Sequence, residues 1–208
     1  MFTKGLSQQT QTNLATLSTI SFVSNYYLAG GTALSLYFGH RFSHDLDFFS
    51  PQAVQPEIIR SSLKNIGALE VFQNDLKTFN GQLNKVKLSF FEYPYKLLEP
   101  TVEFQKIKIA SVVDIGCMKI DAISSRGKKR DFIDLYTICL RVKSLAELLH
   151  LFEKKYVALQ FNKLHLLKSL VYFEDAEEDA KPVMIDKIQW NEVKTFFQKE
   201  VRKLLSKN

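Results

Sequence analysis

Residues 29–50 read "AGGTALSLYFGHRFSHDLDFFS", and they place two kinds of phosphate chemistry close together along the chain. Gly30 and Gly31 stand where a short apolar strand gives way to a helix. Glycine there admits positive φ and lets backbone N–H groups approach a ligand, and the unpaired N–H groups at a helix start attract phosphate oxygens. Thr32 adds a hydroxyl. Thirteen residues separate the glycine pair from Asp45, which Leu46 alone separates from Asp47. On a strand, residues two apart point to one face, so both carboxylates project together and call for a cation. Magnesium answers with oxygen ligands and leaves positions for water and phosphate. An isolated glycine pair is more often only a turn, and a salt bridge from Asp47 to Arg41 or to a helix lysine is the structural alternative to a metal.

Between helix and strand lies "HRFSH". Arg41 is a cation suited to phosphate or to orienting a carboxylate. His40 and His44 have no third close ligand to complete a zinc pattern, so His40 reads as a polar helix-end residue. A second constellation comprises Lys119, Asp121, Arg126, Lys128, Lys129, Arg130, Asp131 and Asp134. Lys119 shares its helical register with Ile115 and Ala122 and so faces inward, where a lysine needs a carboxylate or a nucleotide phosphate. Asp131 and Asp134 share a face near a helix start. Asp131 suits helix capping as well as function, and Asp134 suits function or a salt bridge to Lys119.

The elements that must position these groups can be read from periodicity. Residues 7–24 are predicted helical, "NYYLAG" a buried strand, residues 32–38 a helix and "DLDFFS" a second strand. "PEIIRSSLKNIG" has proline near its start and glycine after its end, as a helix should. "LEVFQND", "KTFNGQLN" and "KVKLSFFEY" alternate as strands, and "FQKIKIAS" reads as one more. "SVVD" is a capping box opening the helix "SVVDIGCMKIDAIS". The rest is predicted helical except for "EDAEEDAKP", read as a loop or linker. The fold class is therefore α+β: a mixed sheet flanked by helices over residues 1–110, then a helical half over 111–208. A cleft between the halves is the expected place for a site.

Composition sets the outer bounds. The 208 residues are 46% hydrophobic and 24% charged, with 17 phenylalanines, which suits a folded globular chain rather than a disordered one. No apolar run approaches the roughly 20 residues a membrane helix needs, and the N-terminal stretch lacks the order of a secretion signal, so a cytoplasmic, membrane-free protein is expected. Cys117 and Cys139 lie in apolar helical patterns and read as reduced and buried. The net charge of +6 permits polyanion binding without requiring it. Lys194, Lys199, Arg202, Lys203 and Lys207 crowd the last helix, where a solvated face is the simpler reading.

In order, "GGTALSLYFGHRFSHDLDFF", "MKIDAI" and "RGKKRDFIDLY" resemble the motifs of the AbiEii/AbiGii toxin family, nucleotidyltransferases of the DNA polymerase β-like superfamily. The resemblance covers residues 27–136 and continues weakly through the helical tail. It implies a nucleotidyltransferase-like α+β fold. Gly30, Gly31 and Thr32 would hold a triphosphate with Arg41 and Arg130. Asp45 and Asp47 would hold magnesium, as one ion or two. Lys119 would meet nucleotide phosphates, and Asp134 would complete the site. The implied reaction moves a nucleoside monophosphate from a nucleoside triphosphate to an acceptor hydroxyl, such as that of transfer RNA, in a toxin paired with a cognate antitoxin. One departure stands out. Where the superfamily places a third strand carboxylate, this chain has Ser89, and Glu92 reaches the same face only through a bulge. That absence keeps open a degenerate protein that binds nucleotide, RNA or antitoxin, and the Asp-Leu-Asp motif by itself keeps open a glycosyltransferase acting on a nucleotide-sugar.

Overall fold

A computed structural model describes residues 1–206, so Lys207 of the basic C-terminal stretch lies outside the described residues. The chain forms two compact units, Met1–Ser111 and Val112 onward.

The first unit is built on a seven-stranded sheet of order β3-β4-β5-β2-β1-β7-β6. Its strands are β1 (Tyr27–Ala29), β2 (Leu46–Ser50), β3 (Leu69–Asn74), β4 (Thr78–Leu83), β5 (Val86–Glu92), β6 (Val102–Phe104) and β7 (Ile107–Ile109). The helices α1 (Gln8–Leu17), α2 (Gly30–Phe38) and α3 (Pro56–Lys64) accompany them. The sheet is mixed, because β1 runs antiparallel to β2 but parallel to β7, and β2 runs parallel to β5. Alternation along β2 separates its faces. Leu46, Phe48 and Ser50 are buried, whereas Asp47 and Phe49 keep some contact with solvent. On the buried side Phe48 stacks on Phe90 at 5.1 Å, and Phe22, Tyr26 and Phe79 pack around the same ring. Burying rings of this size supplies the main drive for closing the sheet.

Three predicted elements differ in detail. The helix expected over residues 7–24 stops at Leu17, and a separate 3₁₀ turn covers Ser21–Asn25. The hydroxyls of Ser18 and Thr19 donate to the carbonyls of Ala15 and Thr16, each at 2.7 Å, and so terminate the helix in place of another turn. "FQKIKIAS" contributes to two strands rather than one, since β6 and β7 form a hairpin through Gln105 and Lys106, whose φ angles are 50° and 65°. Two adjacent left-handed residues make the tight turn that suits strand twist, and no glycine marks it in the sequence. The acidic segment predicted to be a loop contains a short helix, Glu174–Glu178.

The second unit is helical: α4 (Val112–Arg126), α5 (Lys129–Arg141), α6 (Leu145–Lys155), α7 (Lys163–Ser169), α8 (Glu174–Glu178) and α9 (Trp190–Leu205). Its aromatic core centres on Phe132, which meets Phe173, Trp190 and Phe197 at 5.2, 5.9 and 5.5 Å. Asp114, the acidic residue of the predicted capping box, is fully buried and accepts from Lys155 Nζ at 2.7 Å, joining α4 to α6. Removing one member of a desolvated pair leaves the other's charge buried, whereas replacing both with apolar groups does not. Lys155→Met is therefore expected to destabilise the protein by about 3–5 kcal/mol in chemical denaturation, and Asp114→Leu combined with Lys155→Met to recover most of that loss.

Candidate active site

The site begins with the register of β1 on β2. Their antiparallel pairing sets Tyr27 against Phe49 and Ala29 against Asp47, so the chain leaves β1 at the strand position that carries the second carboxylate. Gly30 follows with φ +70°, a left-handed conformation, and a Cβ placed on it would stand 3.3 Å from Asp47 Oδ2. The glycine turn and the acidic strand are thus immediate neighbours. A carboxylate looks across the space a side chain would have filled.

Gly31 makes room for a different group. A Cβ there would fall 2.1 Å from Arg41 Nη2 and 3.2 Å from Ser43 Oγ. The Arg41 guanidinium therefore lies directly over the Gly31 backbone, buried, with Nη1 donating to the Phe42 carbonyl at 2.9 Å. Arg41 thereby lies against the glycine turn.

The segment that delivers the aspartates is pinned at nearly every residue. Ser35 Oγ donates to the Arg41 carbonyl at 2.8 Å, the Ser43 N–H donates to the Gly5 carbonyl at 2.8 Å, and Thr10 Oγ1 donates to the His44 carbonyl at 3.3 Å. Thr32 Oγ1 reaches both the Asp45 carbonyl and Ser43 Oγ. Buried and committed to these partners, the Thr32 hydroxyl serves the acidic loop, leaving its backbone N–H as the group it can offer a phosphate. Ser35 and Thr10 were not singled out from the sequence. The one available signal for Ser35 was a hydroxyl within an otherwise apolar helical run.

The third carboxylate position is settled by register. β2 and β5 pair in parallel with Asp47 beside Ser89, so Ser89 shares the face of the aspartates. Glu92 pairs with Ser50 on the opposite face, and β5 runs against β2 and β4 without a bulge that would turn it around. Among the described residues no group of three or more His, Cys, Asp or Glu is arranged to hold a metal. His40 is buried against Phe38, and His44 is exposed. Asp45, which the structure places just before β2 rather than on it, and Asp47 nevertheless fit magnesium: both are half-buried hard oxygen donors, Asp47 next to the glycine turn, and that ion completes its shell with water and substrate phosphate.

The second constellation forms its own network in the helical unit. Lys119, buried as predicted, sits 2.8 Å from Asp131 Oδ1 and 2.6 Å from Asp134 Oδ2. Arg126 Nε lies 2.9 Å from Asp131 Oδ2. Asp131 is thus an ion-paired residue rather than the cap of α5, a position held by Lys128. Burial pushes the Asp131 carboxyl up, but the charges and hydrogen bonds of Lys119 and Arg126 outweigh it and hold the group below the ordinary carboxylate range. Asp121, half-buried, is pushed up by burial. Arg130 is half-buried on the first turn of α5, next to Lys129, whose ammonium donates to the Asp179 carbonyl at 2.9 Å. Burial, then the Glu200 charge, pushes the Cys139 thiol up to about 12, which removes it as a nucleophile.

Two measurements check this geometry. Gly31→Ala drives a methyl into the Arg41 guanidinium and is expected to cost about 1–3 kcal/mol in thermal unfolding, the ordinary range for overpacking. The depressed Asp131 carboxyl contributes stability that is complete above the unfolded Asp pKa of about 4 and disappears as pH falls through the lower folded value. Asp131→Asn should therefore lower stability by about 3 kcal/mol at neutral pH, with the gap to the parent protein closing in strong acid.

Comparison with known proteins identifies the family and the fold. A family described as "Nucleotidyl transferase AbiEii toxin, Type IV TA system" matches residues 14–204. An uncharacterized protein of Aquifex aeolicus (strain VF5) is 36% identical over 209 residues, spanning 96% of this chain and 98% of its own. Among solved structures, the nucleotidyltransferase toxin MenT4 of Mycobacterium tuberculosis H37Rv has a similar fold, with a TM-score of 0.61 at 14% identity over 95% of this chain and 83% of its own. JHP933 of Helicobacter pylori gives a TM-score of 0.55 at 18% identity over 97% and 96%. With the glycine turn abutting a paired-aspartate strand inside that fold, the chain belongs to the AbiEii family of nucleotidyltransferase toxins of type IV toxin–antitoxin systems.

Proposed function

We propose that this protein transfers a nucleoside monophosphate from a nucleoside triphosphate to an acceptor hydroxyl, with RNA such as transfer RNA as the acceptor class and a cognate antitoxin protein as its partner. The observation that supports the reading is the closeness of Asp47 to Gly30, which would set a turn suited to phosphate against a carboxylate suited to magnesium. Backbone N–H groups at the start of α2 hold the β- and γ-phosphates, and Arg41, lying over Gly31, adds positive charge behind them. Asp45 and Asp47 would hold magnesium, which when bound supplies charge neutralisation to the triphosphate. The acceptor oxygen forms a bond to the α-phosphorus as the bond to pyrophosphate breaks, and the hydroxyl proton passes to water. With Ser89 beside Asp47, β5 offers the acceptor's proton no carboxylate, so positioning and charge carry most of the acceleration. Lys119 and Asp134 enter the proposal as catalytic candidates of the helical unit, and Arg130 as a nucleotide-binding one. The Lys119 ammonium is held between the Asp131 and Asp134 carboxylates, so to meet a phosphate it has to leave one of them.

The same Ser89 favours one rival, a protein that binds nucleotide or antitoxin without turnover. Incubation with α-labelled nucleoside triphosphates and total RNA distinguishes the two. Magnesium-dependent label on RNA is expected, falling at least about 100-fold in Asp45→Asn and Asp47→Asn with unchanged melting temperature. Binding of nucleotide without any label transfer would establish the rival instead.

A further inference from the structure

Register draws one polar row across the sheet. Ala29, the residue before the glycine turn, pairs with Asp47 on β2, Asp47 with Ser89 on β5, Ser89 with Asn80 on β4, and Asn80 with Gln73 on β3. Residues paired directly across strands point to the same side, so Asp47, Ser89, Asn80 and Gln73 share one face. Asn80 Nδ2 donates to Gln73 Oε1 at 3.3 Å, so these two amides meet on that side. From Ser89 the row runs outward, for Ser89 is 2% exposed, Asn80 half-buried and Gln73 exposed. Ser89 is the member that the fold leaves unfinished. Among the described residues its hydroxyl has no hydrogen-bond partner. Nor does its oxygen count among the polar atoms sealed from solvent without a partner, so a bound group can still reach it. A hydroxyl held this deep costs stability until something hydrogen-bonds it.

The same row gives the reaction a direction. Neighbouring strands lie about 4.8 Å apart, so the glycine turn, Asp47 and Ser89 stand side by side at one level on three successive strands. In phosphoryl transfer the attacking and leaving oxygens are roughly in line across the phosphorus. With pyrophosphate held at the turn and the α-phosphorus beside Asp47, the attacking oxygen comes from the β5 side, within reach of Ser89. We propose that Ser89 Oγ accepts a hydrogen bond from the acceptor's attacking hydroxyl and so holds that oxygen in line with the leaving pyrophosphate. The bond turns a lone pair of the attacking oxygen toward phosphorus, and the proton passes on to water as the new bond forms. Ser89 is then an acceptor contact and not a base. Beyond it, Asn80 and Gln73 carry the polar row out to solvent at β3, an edge strand of the sheet. The proposal rests on the transfer reading above and adds which group of this chain meets the acceptor.

The test measures a coupling in binding, apart from turnover. Two 5′-labelled single-stranded RNAs, one ending in an ordinary nucleotide and one in a 2′,3′-dideoxynucleotide, are titrated by fluorescence anisotropy against the full chain with magnesium and a non-hydrolysable nucleoside triphosphate. The parent protein is expected to bind the RNA that keeps its terminal hydroxyls about two- to tenfold more tightly, the net worth of one hydrogen bond. Ser89→Ala, checked for an unchanged melting curve, should bind the two RNAs equally. A merely structural Ser89 would weaken both RNAs alike and leave the preference in place, and that result overturns the contact. Equal affinity of the parent for the two RNAs, or no RNA binding by the parent, overturns it even if Ser89→Ala fails to fold. Transfer of α-label to RNA by the parent, recorded separately, decides the transfer reading: transfer without the hydroxyl preference leaves that reading standing and removes Ser89 from it.

Discussion

The site depends on one constraint, the antiparallel pairing of β1 with β2 in a register that brings Ala29 opposite Asp47. A one-residue slip would turn the acidic pair to the buried face of the sheet and Phe48 outward. The register is secured by burial on both sides of it. Leu28, Leu46 and Phe48 are wholly withdrawn from solvent, and the stacked Phe48 and Phe90 rings tie β2 to β5 on the same side. The large apolar area on one face is what holds two carboxylates together on the other, against their mutual repulsion.

Small residues then decide how close the turn and the strand can come. At Gly30 the backbone adopts a left-handed angle that disfavours a side chain, and at Gly31 any side chain would displace the Arg41 guanidinium. Hydroxyls do the rest of the positioning. Thr10, Thr32 and Ser35 hold successive carbonyls of the segment leading to Asp45, so an irregular loop of histidine, arginine and serine behaves as a fixed part of the scaffold. In the helical unit the same task falls to ion pairs. Lys119, Asp131, Asp134 and Arg126 neutralise one another in a setting where no isolated charge would be tolerated.

Ser89 separates this chain from a site with three strand carboxylates. It occupies the position beside Asp47, buried, on the parallel neighbour strand. A hydroxyl there keeps the sheet face free of a third negative charge and cannot serve as a general base near neutral pH. The chemistry is then left to orientation and electrostatic stabilisation, the two effects that phosphoryl transfer uses most.

Local pattern was enough to reveal much of this molecule. Glycines before a helix, aspartates two apart and an alternation of apolar residues report on one strand or one turn at a time, and each of these was legible in the chain. So was the inward face of Lys119, which helical spacing alone gives, whereas its pairing with both Asp131 and Asp134 needed the packing of α4 on α5. Tertiary structure decided what depends on partners distant in sequence. Register placed Asp47 against Gly30 and Ser89 and kept Glu92 on the far face. The commitment of the Thr32 hydroxyl and the pairing of Asp114 with Lys155 were hidden for the same reason, and the hairpin at Gln105 and Lys106 because no glycine marks its turn. Periodicity specifies which face a residue occupies, whereas long-range packing selects the neighbour it meets there.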